Sequence, residues 1–239
     1  MSIKQLILGA ILTAFTAVGP VWAATSPLEF SVRTGHMRHG SRGTLAFGDQ
    51  GVEYRTTKKD AGRRWTYEQI KQIQVLSPTR IAVRTYEDQG WFRLWTDRTV
   101  EFELEKGAVT PELSSFLLAK IPRPVVTSVL PASTGAPRYR VPVKHVRGRR
   151  GSDGDLALYD DALVYESPQK GASRYWRFGD LASVYAPNRF RLDVLTYEGG
   201  GGDTRPFTFQ LKTDLPPGFY DTLWAYLNAP APLRQAIRR

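Results

Sequence analysis

The sequence contains no cysteine, two methionines and only three histidines among its 239 residues. Without cysteine, the chain has neither disulfides nor a thiolate nucleophile. The Gly-x-Ser-x-Gly elbow that carries the nucleophile of many hydrolases is also absent. The folded protein must therefore be stabilised by its hydrophobic cores, and it shows no recognisable catalytic nucleophile.

Long apolar runs are also lacking, apart from the uncharged segment Leu6–Val18 near the N-terminus. This segment is too short to cross a membrane as a helix, which needs about 20 residues. Lys4 precedes it, and small residues occupy the positions that signal peptidase reads, Val21 and Ala23. The pattern predicts a signal peptide over residues 1–23 and a periplasmic or secreted mature chain. An uncleaved anchor is the alternative.

The net charge is +10, and it comes mainly from arginine. A basic surface favours an anionic partner such as phospholipid head groups, an acidic polymer or an acidic protein. Nucleic acid does not fit an exported protein. A solvated, arginine-rich surface without a partner is the alternative. The hydrophobic share of 41% and aromatic share of 12% are typical of a globular protein.

The sequence repeats itself at an offset of 111 residues. Between residues 43 and 87, 14 of 45 positions are identical to the residue 111 positions further on, without a gap. The matches include Trp65 with Trp176. After a four-residue deletion, residues 100–104 match residues 207–211. A duplicated unit is therefore predicted, and each copy is long enough to enclose a core.

The repeat and a proline-rich stretch divide the mature chain. We predict copy one over 24–121, a linker over 122–137, copy two over 138–229 and a basic tail over 230–239. Four prolines make the linker semi-rigid, and its valines and leucine are expected to pack on one of the copies. Both copies should be soluble, because no other apolar run reaches spanning length.

Within each copy the hydrophobic pattern has the period of two that is typical of β-strands. One amphipathic helix follows the strands, and in copy one Thr110 and Pro111 form its start. The helix faces should bury Leu113, Phe116, Leu117 and Ile121 in copy one, and Tyr220, Leu223, Trp224 and Leu227 in copy two. The repeated residues Trp65, Trp176, Tyr86 and Tyr197 are interpreted as core and sheet residues. The strands of copy one are predicted near Leu28–Thr34, Gly43–Phe47, Val52–Thr56, Arg63–Tyr67, Ile70–Leu76, Arg80–Tyr86 and Thr99–Leu104.

Seven short antiparallel strands followed by one helix resemble a pleckstrin-homology-like barrel. The segments Trp65-Thr-Tyr67-Glu-Gln-Ile70 and Trp176-Arg-Phe178-Gly-Asp-Leu181 are similar to segments of the bacterial and GRAM-type members of that superfold. The resemblance covers nearly the whole mature chain and implies a mainly β protein of two tandem seven-stranded barrels. It also implies binding of lipid head groups or peptides.

Each copy opens with a basic segment that spans its first strand and the following loop. Arginine can bind phosphate oxygens through paired hydrogen bonds, and clustered cations focus positive potential. We predict that these segments bind an anionic ligand or partner, as the resemblance also implies. A solvated loop that protects an edge strand is the alternative. The residues are Arg33, His36, Arg38, His39 and Arg42 in copy one, and Lys144, His145, Arg147, Arg149 and Arg150 in copy two.

An aromatic insertion distinguishes the two copies. Copy one has Trp91-Phe-Arg-Leu-Trp95 where copy two has glycines 199–202. The residues Trp91, Phe92 and Trp95 form a candidate interface hairpin for a lipid surface or a protein. The alternative is a longer hairpin that packs on the linker or on the other copy.

The remaining polar motifs point to turns rather than chemistry. Gly40-Ser-Arg-Gly43 and Gly151-Ser-Asp-Gly154 are interpreted as turns, as is the acidic pair Asp160 and Asp161. His36 and His39 lack further ligands for a metal, and copy two has arginines at both positions. Neither a metal nor a cofactor is predicted.

The sequence is therefore most consistent with an exported, non-catalytic binding or scaffold module. Its predicted partner is an envelope protein or an anionic envelope surface, met through the basic loops. An envelope hydrolase without a recognisable motif and a purely structural envelope component are the alternatives.

Overall fold

The computed structural model describes residues 28–35, 40–59, 61–88, 97–132, 135–148, 150–200 and 203–229. These residues form a mainly β protein with two sheets and two α-helices. No helix within them is long and apolar enough to cross a membrane. The predicted signal peptide, the aromatic insertion and the basic tail lie outside the described residues.

The first sheet contains eight strands in the order β4-β3-β2-β1-β7-β6-β5-β8. Seven of them follow one another before helix α1, Pro111–Lys120, and their neighbours pair antiparallel. Strand β8, Val125–Thr127, comes after the helix and pairs parallel with β5. The predicted linker therefore contributes a strand to the first sheet. The seven strands are β1 Leu28–Thr34, β2 Arg42–Gly48, β3 Gly51–Thr56, β4 Arg63–Thr66, β5 Ile70–Ser77, β6 Arg80–Asp88 and β7 Asp97–Leu104.

The second sheet contains seven antiparallel strands in the order β12-β11-β10-β9-β15-β14-β13. Helix α2, Phe219–Asn228, follows the last strand. The strands are β9 Tyr139–Arg147, β10 Arg150–Leu158, β11 Ala162–Glu166, β12 Arg174–Arg177, β13 Leu181–Asn188, β14 Arg191–Gly200 and β15 Asp203–Leu211.

The two sheets share one strand order, since β9–β15 occupy the places of β1–β7. This identity of order agrees with the predicted repeat. Within the described residues, however, neither sheet is closed by pairing between its edge strands. In the first sheet, β4 ends in a tight turn in which the amide of Gln69 donates to the carbonyl of Thr66 at 3.1 Å. This turn connects β4, at one edge of the sheet, with β5, which lies beside β8 at the opposite edge. Among the described residues no pairing joins the two edges, so the expected closed barrels are not observed.

Helix α1 begins where the sequence predicts. The Thr110 hydroxyl accepts a hydrogen bond from the amide of Leu113 at 3.4 Å, and Pro111 occupies the first turn, where no amide donor is needed. Leu113, Leu117 and Ile121 are buried against the first sheet. Their spacing places them on one helix face, as predicted, and the fourth predicted residue, Phe116, is partly buried against the same core.

The buried face of α2 differs from its prediction. Phe219 and Leu223 are fully buried, whereas the side chain of Trp224 is 52% exposed. Gly218 adopts a left-handed conformation before the helix, with φ of 82°, and this turn directs Phe219 into the core. Tyr220 and Leu227 are partly buried against the core, so the prediction was wrong for Trp224 alone and did not include Phe219.

Each sheet encloses a separate apolar core. Trp65 and Trp176 lie at equivalent places in the two cores, and both are buried as predicted. Tyr86 and Tyr197 are strand residues but not core residues, because their side chains are 47% and 39% exposed. The interpretation of these tyrosines as core was therefore wrong.

Charged hydrogen bonds join the two halves at the end of α1. Arg177 of β12 donates to the carbonyls of Leu118 and Ile121 at 2.9 and 2.8 Å, and to that of Arg123 at 2.7 Å. The buried carboxylate of Asp180 also accepts from this guanidinium, at 2.8 Å. A cation at the last carbonyls of a helix satisfies acceptors that would otherwise lack donors. Arg177 thereby attaches α1 to the second sheet.

A second set of bonds joins the halves further along the sheets. The buried amide of Gln72 donates to the carbonyl of Glu198 at 3.2 Å, and Arg84 donates to the carbonyl of Gly199 at 3.1 Å. Leu118 and Leu130 pack against a small apolar cluster on the outer side of β10–β12. The halves therefore contact one another through both polar and apolar groups.

Candidate functional site

The two Gly-Ser-x-Gly motifs support neighbouring tyrosines. In copy two, Tyr165 donates to the carbonyl of Ser152 at 2.6 Å, and the two hydroxyls are 2.8 Å apart. A Cβ on Gly154 would lie 2.9 Å from the tyrosine ring and 2.1 Å from the carbonyl oxygen of Glu166, so this position requires glycine. Ser41, Gly43 and Tyr54 repeat the arrangement in copy one. These serines have a structural role, and the motif lies at the beginning of a strand rather than in a free turn.

Replacing Ser152 with Ala is expected to lower the free energy of unfolding by about 1 kcal/mol, because the buried Tyr165 hydroxyl loses one of its two partners. Urea-induced unfolding followed by circular dichroism measures this change. Ser183 of β13 is exposed, and S183A should leave the midpoint unchanged. Equal midpoints for the wild type, S152A and S183A would contradict the structural role.

A cluster of charged residues surrounds the buried carboxylate of Glu198 in the second half. The indole N–H of Trp176 donates to one carboxylate oxygen of Glu198 at 2.6 Å. Arg174 and Arg205 lie 3.5 and 3.6 Å from the other oxygen. Burial raises the pKa of Glu198, and the two guanidiniums and the indole N–H act in the opposite direction. Glu198 is only 4% exposed, so this cluster is closed to a substrate and serves the fold.

Copy one has the same residue types at the equivalent positions, but in a different environment. Glu87 is exposed and pairs with Arg98 at 2.9 Å. The indole N–H of Trp65 is buried and has no hydrogen-bond partner among the described residues. The ion pair of Glu87 with Arg98 corresponds to that of Glu198 with Arg205, but only copy two buries the glutamate and bonds it to the tryptophan.

A cleft of about 1030 Å³ lies between the halves. Several of its charged groups already form ion pairs or hydrogen bonds with other groups of the protein. Lys120 pairs with Asp49 at 2.8 Å, and Arg177 holds the end of α1. Burial raises the pKa of Tyr67 to about 12, so its hydroxyl stays protonated near neutral pH. A hydrogen bond to Thr66 lowers the pKa of Glu68, which is unfavourable for a general acid. The cleft gives the hydrolase alternative no support.

In the basic segment of copy one, the arginines that the structure describes are in ion pairs. Arg33 pairs with Glu103 at 3.0 Å, and Arg42 pairs with Glu105 at 2.8 Å. Both glutamates come from the region of β7, which lies beside β1 in the sheet. The other predicted residues of this segment lie outside the described residues: His36, Arg38 and His39.

The basic segment of copy two retains exposed cations. Arg147 and Arg150 lie opposite each other in the strand register at the tip of the β9–β10 hairpin, and both side chains are exposed. Lys144 is exposed on the same hairpin, opposite Asp153. Among the described residues, none of these three cations is in an ion pair. Arg149 lies outside the described residues.

The difference between the copies arises from the neighbouring strand. The positions of Glu103 and Glu105 in copy one are occupied by Gln210 and Lys212 in copy two. Lys212 instead pairs with Asp153 at 2.6 Å. Replacement of Glu103 by Gln210 leaves Lys144 without the carboxylate that pairs with Arg33 in copy one. We call Lys144, Arg147 and Arg150 the basic hairpin.

His145 does not belong to this exposed set. Its ring is 4% exposed and packs among Tyr165, Phe207 and Phe209. Burial and, after it, the positive charges of Arg147, Arg174 and Arg205 together lower its pKa to about 4. His145 was predicted to bind an anionic ligand or partner with the rest of the basic segment, but its burial removes it from the exposed surface, because it continues the inward-facing series of β9. The low pKa also reflects the positive potential around the basic hairpin.

The sequence analysis did not identify the strand residues that pair, or fail to pair, with the basic segments. A comparison of Glu103 and Glu105 with Gln210 and Lys212 was available from the repeat, but their proximity to the basic segments required the strand pairing. Arg174 and Arg205, which add to the potential at His145, were also missed. Among the described residues, no group of three or more histidine and acidic side chains is placed to hold a metal.

Comparison with known proteins finds similarity only among solved structures. No family model and no curated protein sequence matches the chain. The C-terminal domain of an unknown protein from Leishmania infantum is 14% identical and has a TM-score of 0.27, and the match covers 44% of this chain and 85% of that one. The Spt16D Pob3N heterodimer structure is 8% identical with a TM-score of 0.30, and the match covers 73% of this chain and 85% of that one.

Proposed function

We propose that the protein is an exported, non-catalytic binding module that contacts an anionic envelope surface through its basic hairpin. The observation that carries this proposal is the exposed pair Arg147 and Arg150, which lacks counter-charges among the described residues. In copy one, Arg33 and Arg42 of the basic segment are in ion pairs, whereas the positions equivalent to Arg147 and Arg150, His36 and His39, lie outside the described residues.

Each half is further proposed to be a pleckstrin-homology-like unit. In support, both have seven antiparallel strands in one order, followed by a helix that packs on the core. Both also place the tryptophan of the Trp-x-Tyr/Phe-x-x-Ile/Leu pattern in the core, as Trp65 and Trp176. Within this hypothesis, residues 1–23 direct the chain to the periplasm or the medium.

Phosphate is the anion that best suits the hairpin. A guanidinium offers two parallel donors to phosphate oxygens, and two arginines at a hairpin tip can reach a flat surface without obstruction. The described residues account for less than half of the net charge. All acidic residues except Asp60 lie within them, whereas seven basic residues lie outside. Binding of an anion should therefore depend on the positions of the cations that are not in ion pairs, rather than on a uniformly basic surface.

Replacing both arginines, as R147S/R150S, is expected to weaken binding to anionic vesicles about 30-fold. Each basic side chain near an anionic membrane contributes about 1 kcal/mol, and the two together about 2 kcal/mol. Flotation of the mature protein with vesicles of phosphatidylglycerol and phosphatidylcholine, compared with pure phosphatidylcholine, measures the affinity. Binding should fall as salt is raised, because exposed charges are screened.

The matched control is R33S/R42S, which removes the same charge from the equivalent segment of copy one. Because Arg33 and Arg42 pair with Glu103 and Glu105, this variant should retain most of the affinity. Equal losses in the two variants would show an effect of net charge and overturn the role of the hairpin. A wild-type protein that binds neither vesicle would overturn the lipid partner and favour an acidic envelope protein or a structural role.

A further inference from the structure

The four residues that form the cluster around Glu198 in copy two all recur in copy one. Three of them recur at the repeat offset, and the fourth recurs after the four-residue deletion. Arg174, Trp176, Glu198 and Arg205 correspond to Arg63, Trp65, Glu87 and Arg98. Copy one therefore contains every side chain from which copy two builds this cluster.

The backbone at the two glutamates is also equivalent. The amide of Glu87 donates to the Thr85 hydroxyl at 3.4 Å, and the amide of Glu198 donates to the Thr196 hydroxyl at 3.3 Å. The strands enter a bulge in the same register in both copies, with the equivalent pairs Arg84–Thr99 and Leu195–Pro206. The strand register therefore does not explain why only one of the glutamates is buried.

The alternation of side chains along β6 places Glu87 on the inward face. Val83 and Thr85 are buried, and Glu87 is the next residue of this series. The equivalent residues of β14 are buried throughout, and they are Val194, Thr196 and Glu198. Glu87 is nevertheless exposed and pairs with Arg98 at 2.9 Å. Its carboxylate therefore lies away from the inward place that the strand offers it.

The outward position of Glu87 leaves a buried donor of the first core unsatisfied. Trp65 is 2% exposed, and its indole N–H has no acceptor among the described residues. In copy two, the Glu198 carboxylate accepts from the equivalent indole of Trp176 at 2.6 Å. An unpaired buried donor costs more free energy than an exposed ion pair contributes. The inward place beside Trp65 is therefore favourable for a carboxylate.

Contacts from the first half hold the backbone at Glu198. Gln72 donates to the carbonyl of Glu198 at 3.2 Å, and Arg84 donates to the carbonyl of the next residue, Gly199, at 3.1 Å. Both donors belong to the first half, so they act on the glutamate of the second half and not on Glu87. The inward position in copy two therefore coincides with a fixed backbone.

We infer that the Glu87 carboxylate has a second, inward position in which it accepts a hydrogen bond from the Trp65 indole, and that Arg98 holds it in the outward one. In the inward position Arg63 takes the place of Arg174, whose guanidinium lies 3.5 Å from the Glu198 carboxylate. Release from Arg98 thus adds a buried hydrogen bond to the first core. The inference does not depend on the proposed anion binding.

NMR of the tryptophan indole protons tests the inference on the mature chain. R98S removes the outward partner of Glu87, so the indole proton of Trp65 should shift downfield, towards that of Trp176. It should also exchange with solvent about tenfold more slowly, because it gains an acceptor. The Trp176 proton, which already has a carboxylate acceptor, provides the reference in the same spectrum.

Two further variants separate the movement of Glu87 from other effects of losing an arginine. In E87A/R98S the Trp65 signal should keep its wild-type shift and exchange rate. R205S is the matched variant of copy two, and it should leave the Trp176 signal unchanged because the acceptor is already in place. An unchanged Trp65 signal in R98S would overturn the inference. An equal change in R98S and E87A/R98S would also overturn it, because Glu87 would then not be the acceptor.

Discussion

Replacing Glu198 with Ala is expected to lower the free energy of unfolding by about 3–5 kcal/mol. The substitution leaves Arg174, itself buried, without its carboxylate and leaves the Trp176 indole without an acceptor. Breaking a buried ion pair from one side costs this much, because an uncompensated charge remains in a region of low polarity. Urea-induced equilibrium unfolding at neutral pH, followed by circular dichroism, measures the loss.

The duplicated sequence provides the control for this variant. Glu87 occupies the equivalent position in copy one, where it is exposed and pairs with Arg98. Exposed ion pairs contribute about 0–1 kcal/mol, so E87A should have a small effect. The double variant R174M/E198L should be more stable than E198A, because it removes both buried charges. A loss for E198A no larger than that for E87A would contradict a stabilising role of the buried cluster.

Acidification is expected to destabilise the protein through His145. Burial and the neighbouring Arg147, Arg174 and Arg205 lower its pKa from 6.5 to about 4. Between these values the unfolded chain binds a proton that the folded chain does not bind. The stability associated with neutral His145 is therefore fully present above pH 6.5 and is lost as the pH falls towards 4. The shift corresponds to about 3 kcal/mol.

The variant H145F isolates this contribution, because its ring can occupy the space between Phe207 and Phe209 without titrating. Its unfolding free energy should follow that of the wild type above pH 7, apart from a constant difference. Between pH 6.5 and 4 the wild type should lose about 3 kcal/mol more than H145F. The carboxyl groups titrate in both proteins and cancel in the comparison. Parallel curves over this range would show that His145 is not held neutral by the fold.

Local sequence determined most of the secondary structure. Strand β1 has the predicted bounds Leu28–Thr34, because turn residues interrupt the alternation of apolar and polar positions at its end. Helix α1 begins at Pro111 after Thr110, since a capping hydroxyl and a residue without an amide satisfy the first turn. These features depend on residues within one turn of each other, so they can be recognised without a fold.

The burial of His145 was open to prediction but was missed. Val141, Val143 and His145 alternate along β9 and are all buried, so the period of two applied to the histidine as well. Its ionisable side chain was interpreted as a surface group. An aromatic pocket formed by β11 and β15 keeps the ring neutral, and that pocket depends on strands that are distant in the sequence.

By itself, the sequence determined that the chain is mainly β, repeats its pattern at a constant offset and carries a basic segment in each copy. Only the tertiary structure decided that Arg33 is in an ion pair, because it meets a glutamate 70 residues away, whereas Lys144 faces Gln210 on one side and Asp153 on the other and forms no ion pair among the described residues. Charge becomes a binding surface only where no counter-charge lies within ion-pair distance. That distance is determined by the order and register of the strands, which local patterns do not encode.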